Sequence, residues 1–326
     1  MPSDAYFNHI LHLSILERTE MEKLDEKKPS DFLQSLVSAH VASDGAMTVE
    51  DLIGQSLLIL FAAFDTTSTT LQFCFVLLAL HPDIQERVYR EIIDVCGDVN
   101  EGEDTESRAP SHEQLQHLHY MQQVIDETLR LFPPALFLSR LTNKTTSVDL
   151  ISDHTERFQA DSEISDPQED KHHIEVGSNN AIGGEFLFSK SQVQSAEASK
   201  CERSKVPAGR TITIPAGASI LIPVAKIHRD PRYYEDPENF DPDRFLPENR
   251  ARRQPFAFLP FGLGPRQCIG MRMAYLEIKT ALVYVLRKVR LEVNEFTEPP
   301  AGGKVALRET NVLVVEKPIK LAVKLR

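Results

Sequence analysis

The stretch from residue 52 to residue 80 constrains the chain most. It is almost wholly apolar or hydroxylic and stops at His81 and Pro82. A run this long needs either lipid or protein around it. Its middle decides between them. Asp65 is followed by five hydroxyl residues, Thr66, Thr67, Ser68, Thr69 and Thr70. An acid and five hydroxyls at mid-bilayer are costly unless function demands them. The pattern predicts a long helix buried on all sides in a large protein, with a chemical reason for its polar break. Thr48, three residues before Asp51, predicts a capping-box-like start with Asp in place of Glu.

Residues 260–270 are the second constrained stretch. They read Pro260, Phe261, Gly262, Leu263, Gly264, Pro265, Arg266, Gln267, Cys268, Ile269, Gly270. Two glycines allow a tight turn and a close approach, and Pro265 fixes one dihedral. Arg266 and the start of a following helical pattern, residues 271–287, surround Cys268 with positive potential, which favours the thiolate over the thiol. A thiolate is both a nucleophile and a metal ligand. A dinucleotide loop fits poorly, since Gln267 stands where its third glycine belongs and Pro265 offers no N–H to a phosphate. A structural cysteine after a turn is the plain alternative.

The net charge of −12 argues against a nucleic-acid partner. Cys74, Cys96, Cys201 and Cys268 show no disulfide-like spacing, which fits a reducing compartment or a cytosolic face. Residues 1–10 show neither a signal peptide nor a membrane anchor. There is no tryptophan.

Along the chain, Ile10, Leu11, Leu13, Ile15 and Leu16 suggest a helix, and residues 20–28 a charged linker. A short helix follows over 31–39, with Ser30 as its cap. Residues 82–96 predict a helix with an apolar stripe of Ile84, Val88, Ile92 and Val95. Its exposed face would carry the pairs Glu86–Arg90 and Arg87–Glu91, and Gly97 would stop it. An acidic loop, 98–107, precedes helices over 111–115 and 121–131. Glu127 and Arg130 sit three apart among Val124, Ile125, Leu129 and Leu131, which favours a buried, partnered pair over a surface one. Residues 145–205 carry twelve acidic residues against six basic and no apolar periodicity, so they predict disorder. Within them His172 and His173 lack the partners a metal site would need. Ile212, Ile214, Ile220 and Ile222 flank Pro215 and Gly217, predicting two strands around a turn. His228 reads as a satisfied structural histidine, with a place near a cofactor carboxylate as the alternative. Residues 291–293, 305–307, 312–315 and 319–325 predict closing strands, with Thr310 and Asn311 in a turn.

Four of these signals together resemble one family. Residues 261–270 resemble the haem-binding loop of the cytochrome P-450 family at every fixed position. Ala62, Ala63, Phe64, Asp65, Thr66 and Thr67 resemble its oxygen-activation segment, with Ala63 where glycine is commonest. Glu127 and Arg130 match its E-x-x-R, and Pro242, Asp243, Arg244 and Phe245 its P-x-R-F. The likeness runs from about Asp31 to the end and looks closest to microsomal animal-type members. It implies a mainly α fold with small β-sheets (α+β), with the N-terminal half of the family's domain absent. That half carries the anchor, a tryptophan-containing haem clamp and much of the substrate pocket. The divisions expected are a charged lead-in (1–30), a central-helix to E-x-x-R part (31–144), a disordered acidic insertion (145–205) and a haem-loop part (206–326). The insertion would interrupt a hairpin, or be retained non-coding sequence.

The resemblance implies haem b as cofactor, with Cys268 as axial ligand of its iron. Arg266, Arg140, Phe261, Gly262, Ala274 and Ala62 would contact the haem, Arg140 at a propionate and Ala274 at the porphyrin face. Asp65 and Thr66 would organise proton delivery. Glu127, Arg130 and Arg244 would form a structural network. The implied activity is that of a monooxygenase acting on a small apolar organic substrate with O2, near Phe61, Phe64, Leu136 and Phe137. An NADPH-dependent reductase would supply electrons at the cytosolic face of the endoplasmic reticulum membrane. The alternatives are a truncated, non-catalytic fragment unable to hold haem, and a haem-thiolate isomerase. Asp65 and Thr66 argue against the isomerase, because chemistry without dioxygen needs no proton delivery.

Overall fold

The computed structural model describes residues 2–24, 29–43, 45–98, 109–149, 173–176, 184–187, 211–295, 297, 307–308, 313–315 and 319–326. The fold is mainly helical with small two-stranded sheets. The chain forms two compact units, Met1–Asp65 and Thr66–Arg326.

The first unit is built from helix α1 (Pro2–Lys23), helix α2 (Phe32–Ala42) and the start of helix α3 (Val49–Leu80). Its core is small: Ile15, Val37 and Leu52, with Leu33, Leu36, Met47, Val49 and Ile53 packed around them. The cap of α2 is Asp31 rather than Ser30. Its carboxylate accepts the Gln34 N–H at 2.9 Å and is held below the usual carboxylate range by the Arg18 hydrogen bond. At the head of α3, Asp51 N–H donates to Thr48 Oγ1 at 3.1 Å while Thr48 N–H donates to Asp51 Oδ2 at 2.9 Å. A shorter acid thus completes the reciprocal box expected from the sequence.

Helix α3 corrects one expectation. Its last turns are buried, with Phe73, Cys74, Leu77 and Leu78 in the main core, and burial pushes the Cys74 thiol up to about 12. Its middle is not buried: Leu58, Phe61 and Phe64 are 62%, 52% and 71% exposed. Only residues up to Ile53 enter the first core. By length and composition alone, α3 is long and apolar enough to cross a membrane.

The second unit packs the end of α3 with helices α4 (Pro82–Cys96), α6 (His119–Leu131) and α9 (Met271–Lys288) around Val88, Ile92, Met121, Val124, Ile125, Ile278, Leu282 and Leu286. A short helix α5 (His112–His117) starts with a full capping box between Ser111 and Gln114. Gly97 ends α4 at φ 79°, the left-handed region that favours glycine. The Glu86–Arg90 pair is present at 3.5 Å. The Arg87–Glu91 pair is replaced by longer-range contacts. Glu91 reaches across to cap α6, accepting the N–H groups of Tyr120 and Met121 at 2.6 and 2.8 Å. Arg87 instead pairs with Asp243 at 2.9 Å and lies 3.7 Å over the Tyr120 ring. Two unpaired helix-end donors outcompete an exposed carboxylate–guanidinium contact.

The strands expected around the Pro215–Gly217 turn are present, and each pairs with an earlier strand. Strands β1 (Leu138–Leu141) and β2 (Thr146–Asp149) run out, and β5 (Thr211–Ile214) and β6 (Ser219–Ile222) run back. β5 pairs with β2 and β6 with β1, both antiparallel, so the two later strands do not pair with each other. The ladder bends where Thr142 meets the Pro215–Ala218 turn. Thr142 N–H donates to Ala218 C=O at 3.0 Å, and its hydroxyl donates to Pro215 C=O at 2.7 Å. Residues 146–149 are therefore paired strand, not the start of the acidic insertion. Within the connection, β3 (His173–Val176) pairs with β4 (Gly184–Leu187). The remainder of 150–210 lies outside the described residues, as do most of the acidic loop at 98–107 and the Thr310–Asn311 turn. After a short helix α7 (Val224–Ile227) and a helix α8 (Pro247–Arg252), β7 (Val289–Glu292) pairs with β10 (Ala322–Leu325), and β8 (Leu307–Arg308) with β9 (Val314–Val315).

Candidate functional site

The site is built outward from α6. Its apolar stripe leaves Glu127 and Arg130 wholly inside, both side chains at 0% exposure. Arg130 forks onto the carboxylate, with Nε to Oε2 at 2.6 Å and Nη2 to Oε1 at 2.8 Å. Bidentate geometry of this kind is the strongest neutralisation a buried carboxylate finds. Burial lifts the Glu127 carboxyl above its usual range, and the Arg130 bonds oppose that lift.

The rest of the fork organises backbone. Arg130 Nη1 donates to the carbonyls of His228 (2.9 Å) and Pro237 (2.6 Å), and Nη2 to that of Asn239 (3.1 Å). Glu127 Oε1 accepts the Asp241 N–H at 2.9 Å. One ion pair therefore pins an irregular segment that has no ladder of its own. The 3-10 turn Pro242–Phe245 follows, capped by Asp241. Arg244 Nε lies 3.5 Å from Glu127 Oε1, within ion-pair range, while its Nη2 donates to Asp236 C=O at 2.9 Å. The three residues expected to form a network are thus brought together, with Arg130 hydrogen-bonded and Arg244 at charge–charge distance. Sequence reading missed the carbonyls that share Arg130.

His228 is buried and fully engaged. Its Nε2 accepts the Leu259 N–H at 2.8 Å, which leaves Nδ1 to donate to Arg130 C=O at 3.2 Å. Burial depresses its pKa to about 3, with Arg130 adding to the effect. These contacts match a satisfied structural histidine.

Beyond Leu259 the chain forms the cysteine loop. Gly262 N–H donates to Leu259 C=O at 3.1 Å, and Cys268 N–H closes the loop on Phe261 C=O at 2.9 Å. Gly262 and Gly264 hold φ of 69° and 81°, where a side chain would be strained. Gly262 is buried, with Leu138 Cδ1 3.6 Å from where a Cβ would sit. The Phe261 ring meets Tyr275 at 5.2 Å, tying the loop to α9. Tyr275 in turn donates to buried Asp126 at 2.7 Å. Arg266 and Cys268 are exposed and Ile269 is 88% exposed, while Ala274 on the first turn of α9 is half-buried. Arg140, on β1, is exposed and donates to Ser139 C=O at 2.8 Å.

The donor set at Cys268 is one exposed soft sulfur. Among the described residues no three His, Cys, Asp or Glu side chains group as a metal cage. A bare ion would find too few ligands, whereas an iron that brings four nitrogens of its own needs one protein thiolate. A Cβ at Gly270 would lie 3.9 Å from Cys268 Sγ, in ordinary van der Waals contact with it. The loop therefore fits a haem.

Asp65 ends the first unit and Thr66 begins the second, consecutive on α3. Ala62 and Asp65 are exposed and Thr66 is half-buried. Thr66 C=O accepts the Thr70 hydroxyl at 2.8 Å, and Thr69 donates to Leu313 C=O at 3.1 Å. Part of the hydroxyl run thus has packing partners of its own.

A family model described as Cytochrome P450 matches residues 4–151 and 203–323. The match begins well before Asp31, where the likeness was expected to start, and so includes α1. The chain is 30% identical over 313 residues to Cytochrome P450 3A31 of Mesocricetus auratus, covering 94% of this chain and 48% of that protein. It is 33% identical over 255 residues to Probable cytochrome P450 6a13 of Drosophila melanogaster (78% and 38%). It is also 33% identical over 275 residues to Cytochrome P450 9e2 of Blattella germanica (84% and 39%). The chain spans about half the length of the curated relatives it matches.

Proposed function

Because the chain belongs to the cytochrome P450 family, we propose that it supplies the iron-ligand part of a haem-thiolate monooxygenase. The reaction inserts one oxygen atom of O2 into a small apolar organic substrate, with electrons from an NADPH-dependent reductase at the endoplasmic reticulum membrane. The carrying observation is the Cys268 loop, which holds two left-handed glycines, Gly262 and Gly264, is closed by the Cys268 N–H on Phe261 C=O, and leaves Cys268 exposed just before α9.

Cys268 would hold the iron of a haem through its sulfur as a thiolate. When bound, haem b supplies the oxidising chemistry itself. Arg140 and Arg266 provide positive charge for its carboxylates. Phe261, Gly262 and Ala274 would give it contact surface, with Gly262 and Ala274 keeping that surface free of bulk. On α3, Asp65 and Thr66 would hold water and pass protons, and Phe61, Ala62 and Phe64 give that helix an apolar stretch. Leu136 and Phe137 would favour an apolar substrate. Glu127, Arg130 and Arg244 hold the scaffold and touch no reacting atom.

A second reading rests on one observation: the exposed apolar face of α3 at Leu58, Phe61 and Phe64. In it, this chain alone does not retain haem. One titration separates the two. The chain is expressed with haem, reduced and exposed to carbon monoxide. A Soret band at the thiolate position, lost in Cys268→Ala, supports the first reading. A thiolate band that survives Cys268→Ala overturns the ligand assignment. Haem uptake only after an upstream segment from a relative is joined supports the second reading. No uptake in either form overturns the haem assignment.

A further inference from the structure

The contacts of His228 extend past a structural role. Arg130 and His228 exchange two hydrogen bonds: the guanidinium donates to His228 C=O at 2.9 Å and the ring donates to Arg130 C=O at 3.2 Å. The other ring nitrogen takes the Leu259 N–H at 2.8 Å. Leu259 C=O takes the Gly262 N–H at 3.1 Å, and Phe261 C=O takes the Cys268 N–H at 2.9 Å. Hydrogen bonds therefore run from the Glu127–Arg130 pair to the cysteine loop, and His228 is the side chain that joins them.

We propose that His228 is a positioning residue for Cys268, setting the loop's backbone against the Arg130 anchor. The ring suits that task for three reasons. It is rigid and stacks on Phe258 at 5.3 Å. It offers one donor and one acceptor at opposite ends, which no other uncharged side chain of its reach does. It stays neutral because charging it would place a cation beside Arg130 and Arg229 and destroy the acceptor that Leu259 needs. Removing the ring strands a buried N–H at the foot of the loop.

The iron-ligand consequence rests on the haem-thiolate reading; the loop geometry does not, so two measurements are paired. The first is amide hydrogen exchange in the chain without haem, comparing wild type, His228→Phe, His228→Gln and Val88→Ala. Val88→Ala is a core truncation on α4 that lowers global stability without touching the relay. Exchange at both the Leu259 and Cys268 amides is expected to speed up about tenfold or more in His228→Phe, with His228→Gln between it and wild type. Faster exchange at Leu259 with Cys268 unchanged overturns the proposal. So does an equal acceleration in Val88→Ala at matched global stability. The second is the carbon monoxide spectrum of the haem-loaded protein. His228→Phe is expected to move intensity from the thiolate band to the band of protonated or detached sulfur, and Val88→Ala is not. An unchanged band ratio in His228→Phe overturns the iron-positioning role. If the wild type takes up no haem, the haem-thiolate reading falls, and the exchange data alone decide whether His228 sets the loop.

Discussion

The Glu127–Arg130 pair and the Cys268 loop make opposite use of the same chain. The pair is wholly buried, and its polar atoms meet carbonyls and an N–H of residues 228–241. The loop is exposed from Leu263 to Ile269 and takes its shape from two glycine dihedrals and a few backbone bonds, Gln267 N–H to Gly264 C=O and Cys268 N–H to Phe261 C=O among them. In the first region side chains hold backbone; in the second, backbone presents a side chain. Buried partners are concentrated in the first region, and the Cys268 side chain is exposed in the second.

The largest test of that contrast is Arg130→Leu. It strips Glu127 of its bidentate partner, so that the buried carboxyl must stay charged or take up a proton, and leaves three carbonyls without their donor. A loss of roughly 3–5 kcal/mol in urea unfolding is expected, and a loss under 1 kcal/mol would break the comparison. Acid comes next. His228 has a folded pKa of about 3 against an ordinary 6.5. Above pH 6.5 both states are neutral and its contribution is fully present. Below that the unfolded chain takes up the proton and the folded one does not. Stability should then fall by up to about 1.4 kcal/mol per pH unit from this group until the pH nears its folded pKa. In His228→Gln that part of the slope should vanish.

Glu91→Ala removes the cap on α6, and a loss of about 0.5–2 kcal/mol is expected by denaturant titration. If it costs nothing, α6 is held by packing alone. Glu86→Gln weakens two ion pairs, with Arg90 at 3.5 Å and Arg326 at 3.1 Å, and should shift stability by no more than about 1 kcal/mol. Smallest of all, Cys268→Ala should leave the unfolding midpoint of the chain without haem within about 0.5 kcal/mol of wild type, while abolishing the thiolate spectrum.

Local signals carried well from sequence to structure. The Thr48–Asp51 box forms between residues three apart. The bounds of α4 follow from Pro82 and Gly97. The burial of Glu127 and Arg130 was legible because apolar neighbours on one helix face declare which face is inside. What failed was long-range choice. Glu91 had an eligible partner four residues away in Arg87, yet the helix-end N–H groups of Tyr120 and Met121 took it. β5 and β6, by contrast, stand on either side of their turn as read, and pair with β2 and β1 as a hairpin interrupted between its arms requires. The exposure of Phe61 and Phe64 was hidden because an apolar run says only that a face is to be covered. Of the site, the cysteine loop and its glycines were legible, because positive φ has a residue signature. The His228 relay was not, because its partners are backbone groups that every residue carries.

The β2–β5 ladder has a further consequence. Asp149 and Thr211 face each other as its last pair, and the Thr211 hydroxyl donates to Asp149 at 2.6 Å. All of 150–210 thus leaves and re-enters the second unit at one rung. Closing a loop costs entropy that grows only with the logarithm of its length, about 0.6 kcal/mol per doubling. A rung at residues 149 and 211 makes the cost of closure depend only weakly on the length of chain between them, while the flanking ribbon keeps its register.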